Sequence, residues 1–231
     1  MSTNEPKISI IIPVINEATS IINFLKPLQY YRNKGHELIL VDGGSHDDTL
    51  KLSQNYVDQT FSSKLGRAAQ MNFGAKHANN TILLFLHSDT YLPNSADTII
   101  INALTKNKIW GRFNVELSNN RFIFRTIAWL MNLRSKITKL ATGDQAIFIN
   151  KKIFNNIKGY PDIPLMEDIA LCKNLRKKYS CVCLSNKIIT SSRRWEKNGI
   201  YHTIILMWRI RALYYFGVSP KRLAELYYGK K

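Results

Sequence analysis

The sequence predicts an α/β fold in which a mostly parallel sheet is covered by helices on both faces. Three observations carry that expectation. Several apolar runs are continuous rather than alternating, the pattern of strands buried on both sides. Each such run in the first half passes through a polar loop into a helix-like stretch, the strand–loop–helix repeat of layered α/β proteins. The polar loops at 13–17, 42–48 and 87–90 all follow the carboxyl ends of these runs, where open parallel sheets bind ligands.

The first strand is Ile8-Ser9-Ile10-Ile11-Ile12-Pro13-Val14, rich in β-branched residues and ended by proline. A helix-like stretch follows over about 17–31, then a second strand, Glu37-Leu38-Ile39-Leu40-Val41. It runs into the sharp turn Asp42-Gly43-Gly44-Ser45, and Asp47-Asp48-Thr49 opens the next helix with its acids where the helix dipole favours them. Gly66 precedes a helix over 67–77, and Thr81-Ile82-Leu83-Leu84-Phe85-Leu86 is a third continuous strand. The second half is less regular. A strand near 109–117 precedes a helix near 120–139, a short strand over 146–149 and a small helix over 151–157. A helix within 165–178 is entered from Glu167-Asp168, and 181–189 alternates like a strand. Two helices, about 199–216 and 220–228, follow. No repeat, linker or low-complexity segment divides the 231 residues, which read as one domain.

Lys and Arg number 33 against 16 Asp and Glu, a formal charge of +17. Such a field favours phosphorylated substrates, anionic membrane surfaces or polyanions. The charge is dispersed, with only short clusters such as 176–178, Arg193-Arg194 and Lys230-Lys231. A long basic arm, zinc-finger spacing and the aromatic pattern of an RNA-binding sheet are all lacking, so nucleic acid ranks below phosphate or membrane as a partner. Cys172, Cys181 and Cys183 cannot all pair within the chain and read as reduced thiols, with 181 and 183 on one strand face. No signal-peptide pattern opens the sequence and no run reaches the roughly 18 apolar residues of a membrane span, so the expected location is cytoplasmic. The aromatic and apolar segment 199–216, carrying Arg209 and Arg211, reads either as a helix covering the core or as one lying against an anionic membrane face.

Several residues suit chemistry on charged, hydroxylated ligands. Asp42 ends a buried strand beside two glycines, placed either to accept hydrogen bonds from a ribose or base or to cap its own turn. Asp89 lies at the tip of another strand, where one carboxylate can hold Mg²⁺ or Mn²⁺ that also takes substrate phosphate oxygens, or else caps the region before Pro93. His87 reads as a second candidate for metal or diphosphate, or as a bonded loop histidine. Glu167 and Asp168 open a helix; an ionised Asp168 can take a proton from an attacking hydroxyl, while the plainer reading is acids at a helix N-terminus. Arg193, Arg194 and Trp195 either combine phosphate-binding guanidinium groups with a ring that can line a sugar site or form a solvated basic patch beside a core tryptophan. Thr142-Gly143-Asp144-Gln145 is a glycine-permitted turn whose Asp144 can reach sugar or acceptor hydroxyls.

Taken together, Ile10–Glu17, Asp42–Thr49, His87–Thr90, Thr142–Gln145, Met166–Asp168 and Arg193–Trp195 resemble the family 2 glycosyltransferases of the GT-A fold. The order and spread of the segments, covering nearly the whole chain, carry the resemblance. More narrowly, Gly66–Asn72, Pro164–Asp168 and Ser191–Glu196 are similar to a small bacterial subgroup described as radical-SAM/selenodomain-associated transferases. The resemblance implies a Rossmann-like, mostly parallel sheet with a smaller acceptor-side region and C-terminal helices. It divides the chain into a nucleotide-binding half over about 1–92, an acceptor-side half over 93–198 and a helical region over 199–231. It implies metal-dependent, inverting transfer of one sugar from a nucleotide-diphosphate donor, a UDP-sugar favoured, to a hydroxyl acceptor that includes lipid-linked candidates. By this analogy Pro13, Glu17, Asp42, Arg67, Asn72, Arg194 and Trp195 line the donor site, and Asp89, with His87, binds Mn²⁺ or Mg²⁺. Asp168 is the general base, and Asp144, Gln145 and Glu167 face sugar or acceptor.

Two departures shape that expectation. His87 stands where the family's metal motif often has an acid, which puts more of the ion's binding on donor phosphates. Ser191 replaces the glutamine of the Gln-x-x-Arg-Trp pattern found in processive synthases, which favours a single addition. A nucleotidyltransferase is the rival enzyme reading, but 12–17 has no glycine- and lysine-rich phosphate loop. A non-catalytic basic module would leave Asp42, Asp89 and Asp168 without a task.

Overall fold

A computed structural model describes residues 5–104 and 108–229; the Lys230-Lys231 cluster lies outside them. The continuous apolar runs form the middle of the sheet. Strand β1 (Ile8–Val14) pairs in parallel with β2 (Glu37–Asp42) on one side and β4 (Ile82–Phe85) on the other, while β3 (Gln59–Ser62) extends the parallel ladder beyond β2. The remaining strands are β5 (Thr90–Tyr91), β6 (Trp110–Leu117), β7 (Phe148–Asn150) and β8 (Cys181–Thr190). Together they make an eight-stranded sheet in the order β3-β2-β1-β4-β7-β6-β8-β5. Antiparallel β7 joins β4 to β6, β6 and β8 run parallel, and β5 lies antiparallel along β8.

The period of two in a strand sends alternate residues to opposite faces. Ile10, Ile12, Leu38, Leu40 and Leu84 therefore pack on α1 (Ile21–Asn33) and α4 (Ala96–Ala103) through Phe24, Leu25, Leu28 and Ile100. Ile11, Ile39, Val41, Leu83 and Phe85 face α3 (Arg67–His77) and α7 (Glu167–Arg176) through Met71, Ala75, Leu171 and Leu175. Short helices α2 (Thr49–Ser53), α6 (Lys151–Asn156) and α8 (Arg193–Asn198) and longer α5 (Phe122–Thr138), α9 (Ile200–Tyr215) and α10 (Pro220–Tyr228) complete the described chain. Among the described residues, no helix is long and apolar enough to cross a membrane.

Helix α3 approaches the sheet closely at Gly74, where an added Cβ would lie 2.6 Å from Ile11 Cγ2 and 3.1 Å from Val41 Cγ2. Overpacking of this kind costs about 1–3 kcal/mol, against a helix-propensity gain of at most ~1 kcal/mol for alanine. Gly74→Ala should therefore lower the urea midpoint; a rise would show that the contact gives way freely.

The structure departs from the sequence expectation in local ways. Helix α1 starts at Ile21 rather than near Glu17 because the intervening backbone is held by the β2 loop: Glu17 N donates to Thr49 Oγ1 and Ala18 N to Asp47 Oδ2. Strand β3, the two-residue β5 and helices α4 and α8 were not anticipated; β3 is a half-exposed edge strand without a continuous apolar run. Cys181 and Cys183 do share one face of β8, their Sγ atoms 3.9 Å apart, and no cluster of three His, Cys, Asp or Glu completes a metal site among the described residues.

Candidate active site

The carboxyl ends of β1, β2 and β4 bring three loops to one edge of the sheet, and the turns before α7 and α8 meet them there. Between the β4 loop, the turns before α7 and α8, and helices α5 and α9 lies a cavity of about 460 Å³. Its polar end carries His87, Asp89, Asp144, Glu167 and Asp168, faced by Arg67 and Arg194.

Asp168 sits in the first turn of α7. Its Oδ2 accepts from Gly143 N at 2.8 Å and its Oδ1 from Ile169 N at 2.6 Å, so the carboxylate is fixed in orientation. Burial raises its pKa above the ordinary range, although these two backbone donors pull the other way. Burial and the adjoining Asp168 push Glu167 up to about 7. Because the folded chain holds that proton between the ordinary glutamate value of 4.5 and about 7, Glu167 favours folding most at low pH. Its contribution falls as pH rises through that window. Glu167→Gln should accordingly raise Tm at pH 8 by roughly 2–4 °C and change it little at pH 4. Equal shifts at both pH values in a thermal scan would remove Glu167 as the source.

Asp89, in the loop between β4 and β5, is also raised by burial; Arg67 opposes the effect, and Asp144 and Glu17 add to it. Beside it, burial and then Arg67 push His87 down to about 3, so its imidazole is neutral near pH 7. The Thr142–Gln145 turn lies flat against that ring: a Cβ on Gly143 would be 2.4 Å from both His87 Cε1 and Nε2. A divalent ion fits this donor set in one mode, held by Asp89 with neutral His87 at hand and completed by phosphate oxygens and water. The unfavourable field that Asp144 and Glu17 exert on Asp89 is the feature a cation would relieve.

Strand β5 ties Asp89 to the opposite wall. Ser191 N donates to Asp89 O at 3.1 Å, and Thr90 and Thr190 share a 3.0 Å hydroxyl contact. Arg194 stacks its guanidinium 3.8 Å from the Tyr227 ring centroid, while Trp195 packs against Leu117 and Phe124 at the cavity wall. Glu17 accepts from Ser20 Oγ and lies 3.9 Å from Arg193 Nη2.

Other sequence candidates lie elsewhere. Asp42 is buried and accepts from Gly44 N, Ser45 N and Ser45 Oγ, which organises its own loop. Pro13 is a ladder residue opposite Val41. Asn72 is spent on Tyr160, donating to its carbonyl and accepting from its N–H. Gln145 is fully buried and donates to Ser135 Oγ, fixing the turn that presents Asp144. None of these four lines the cavity.

The structure adds residues that sequence reasoning passed over. Gln70 Nε2 donates to the carbonyls of both Val14 and Val41, joining the β1 and β2 loops at the ligand edge. A glutamine among Ala68, Met71, Gly74 and Ala75 on the buried face of α3 was the available signal. Arg134 of α5 lines the cavity as well, and so does Arg211 of α9, which the sequence places on a helix covering the core or facing a membrane.

Comparisons with known proteins agree on one relationship. A family model described as "Glycosyl transferase family 2" matches residues 9–159. A glycosyltransferase of Haemophilus influenzae is 33% identical over 117 residues, 46% of this chain and 45% of that protein. Glycosyltransferase AglE of Haloferax volcanii is 31% identical over 98 residues, 38% and 32% of the two chains. The chain thus spans less than half the length of the curated relatives it matches. Among solved structures, mannosyltransferase PcManGT from Pyrobaculum calidifontis, in complex with GDP-Man and Mn²⁺, superposes with a TM-score of 0.65 at 19% identity, covering 91% of this chain and 61% of that one. Mannosyl-3-phosphoglycerate synthase from Rubrobacter xylanophilus gives 0.62 at 14% identity, with 92% and 76% covered. At these identities the likeness shows the fold, which is GT-A.

Proposed function

The chain belongs to glycosyl transferase family 2, and we propose that it transfers one sugar, with inversion, from a nucleoside-diphosphate sugar to an acceptor hydroxyl. A UDP-sugar is the favoured donor. The observation that carries this reading is Asp168, oriented by two backbone N–H groups in a cavity that also holds Asp89.

In this reading the half over about 1–92 binds the nucleotide, 93–198 forms the acceptor side and 199–231 the helical cover. Asp168 accepts the proton of the acceptor hydroxyl as that oxygen bonds to the anomeric carbon. The bond from that carbon to the diphosphate breaks, and the nucleoside diphosphate leaves with the electron pair. Asp89, with His87, would hold Mn²⁺ or Mg²⁺, whose chemistry here is neutralisation of the diphosphate. Arg67 and Arg194 add fixed positive charge on either side, and Asp144 and Glu167 face the sugar and acceptor. Two solved relatives of the fold are described with Mn²⁺ and a nucleotide, GDP-Man in one and UDP in the other, which supports a metal-assisted donor here.

The narrower subgroup is part of the proposal. Its three segments contribute Arg67, Leu165 to Asp168, and Ser191, Arg194 and Trp195 to the same cavity, which supports that resemblance. Calorimetry with a panel of sugar nucleotides, UDP-sugars first, with Mn²⁺ and again with chelator, tests the donor reading. One sugar nucleotide should bind in a metal-dependent way; a folded protein that bound none would overturn it.

A further inference from the structure

The cavity has a second end with a different chemistry. Away from the carboxylates it is walled by Leu130 and Met131 of α5 and Met207 and Trp208 of α9, and it reaches the surface between these helices. The two helices are packed together, with Ile200 and Ile204 against the Phe124, Ile127 and Ala128 cluster.

Each helix carries an outward apolar stripe at helical spacing. On α5 it runs through Phe122 (82% exposed), Trp129 (60%), Leu133 and Ile137. On α9 it runs through Tyr201, Ile205, Trp208 (67%) and Tyr215 (81%). Leu130 and Trp208 belong both to this exposed surface and to the cavity mouth. Soluble monomers seldom leave so many large side chains together in water. The flanks are basic: Arg121, Arg125, Lys136 and Lys139 beside α5, and Lys197 and Arg209 beside α9, are all exposed. Neither α5 nor α9 contains an acidic residue. An apolar stripe bordered by cations is complementary to an anionic lipid surface.

Inside the mouth the same helices each place one guanidinium in the cavity. Arg134 Nε and Nη2 and Arg211 Nε are buried, with no hydrogen-bond partner among the described residues. Buried, unmatched donors of this kind are costly unless something accepts from them, and paired guanidinium groups match phosphate oxygens. Asp144 and Asp168 act on both guanidinium groups, which sets the pair beside the carboxylates rather than apart from them.

We propose that the acceptor is a phospholipid with a hydroxyl-bearing headgroup, taken from an anionic membrane surface on which the α5–α9 face docks. Its phosphate lies between Arg134 and Arg211, its hydroxyl reaches Asp168, and its chains leave past Leu130 and Trp208. This rests on the assignment of the Asp168 end as the transfer site.

The test sets vesicle flotation of the full chain beside donor calorimetry. Vesicles of phosphatidylcholine containing about one-third phosphatidylglycerol should carry the protein up, while phosphatidylcholine alone should not, and salt should weaken the interaction. Phe122→Ser with Trp129→Ser, both outside the cavity, should reduce flotation by at least about tenfold and leave donor binding unchanged. A short-chain phosphatidylglycerol below its micelle concentration should bind the wild type. It should bind Arg134→Ala/Arg211→Ala at least about tenfold more weakly, with partial recovery in the double lysine variant. Normal donor binding with no preference for anionic vesicles, or a stripe covered by a second copy of the chain in light scattering, would overturn the lipid proposal alone. Vesicle binding without any donor binding would instead overturn the transferase site on which it rests.

Discussion

Asp168→Asn should lower the transfer rate by roughly 10²–10⁴-fold, the range associated with a positioned general base, while leaving donor affinity nearly unchanged. The substitution is close to isosteric, and its side-chain oxygen can still accept from Gly143 N or Ile169 N, so the Thr142–Gln145 turn and the start of α7 keep their anchor. What is lost is the ability to take a proton. The wild-type rate should also depend on pH with a definite sign. Burial raises the Asp168 pKa, and only its ionised form is a base, so the rate should fall as pH drops through a limb lying above the usual aspartate range of about 3.9. Single-turnover transfer and calorimetry on one preparation separate the two effects. Ordinary turnover in the variant would end the assignment of Asp168 as base.

The second large effect concerns Asp89. Asp89→Ala should weaken Mn²⁺-supported donor binding by at least about 10–100-fold, the loss typical even of outer-shell partners of a metal. In chelator the variant and the wild type should bind the donor alike. The backbone contribution of Asp89 is its carbonyl, which accepts from Ser191 and survives the change, so a loss confined to the metal-containing titration would not be a folding effect. An unchanged metal-dependent isotherm would move the ion's protein ligand elsewhere. His87→Ala should produce a smaller change of the same sign, since the neutral imidazole lies beside the strand tip but under the Gly143 turn.

What could be read in the sequence follows physical lines. Continuous apolar runs identify strands that lie inside a sheet, and β1, β2 and β4 emerge close to the predicted bounds. Helix α3 has the predicted ends, 67 and 77, because Gly66 precedes it in a conformation that favours glycine. Strand β5 has two residues and β3 has one half-exposed face, so neither leaves a hydrophobic signature. In the cavity, Asp89, Asp144, Glu167, Asp168, Arg67, Arg194 and Trp195 do converge, since residues placed beyond strand ends or at helix starts share one edge of the layer. Asn72, Gln145 and Asp42 were captured by backbone amides and carbonyls or by a hydroxyl, partners set by the path of the chain rather than by any pattern in residue types. Arg134 and Arg211 were hidden for the opposite reason: each is one of several cations on its helix, with Arg125 and Lys136 in α5 and Arg209 in α9, a pattern that also fits side chains reaching back to solvent.

The short contact between β5 and β8 also bears on how the molecule assembles. Thr90 meets Thr190 across 100 positions of sequence, whereas β1 and β2 pair over fewer than 30, as Ser9 does with Glu37. Closing a longer loop costs more chain entropy before any contact rewards it. The β1–β2–β4 half should therefore organise first, and the Asp89–Ser191 clasp should form late, after most of the chain has left a ribosome. Pulsed hydrogen exchange during refolding should show amides of β1 and β2 protected before the Ser191 amide. A chain that has only just finished folding would then be the first one able to bring its two walls together around a substrate, and truncated products would hold the β1, β2 and β4 loops without the wall that completes them.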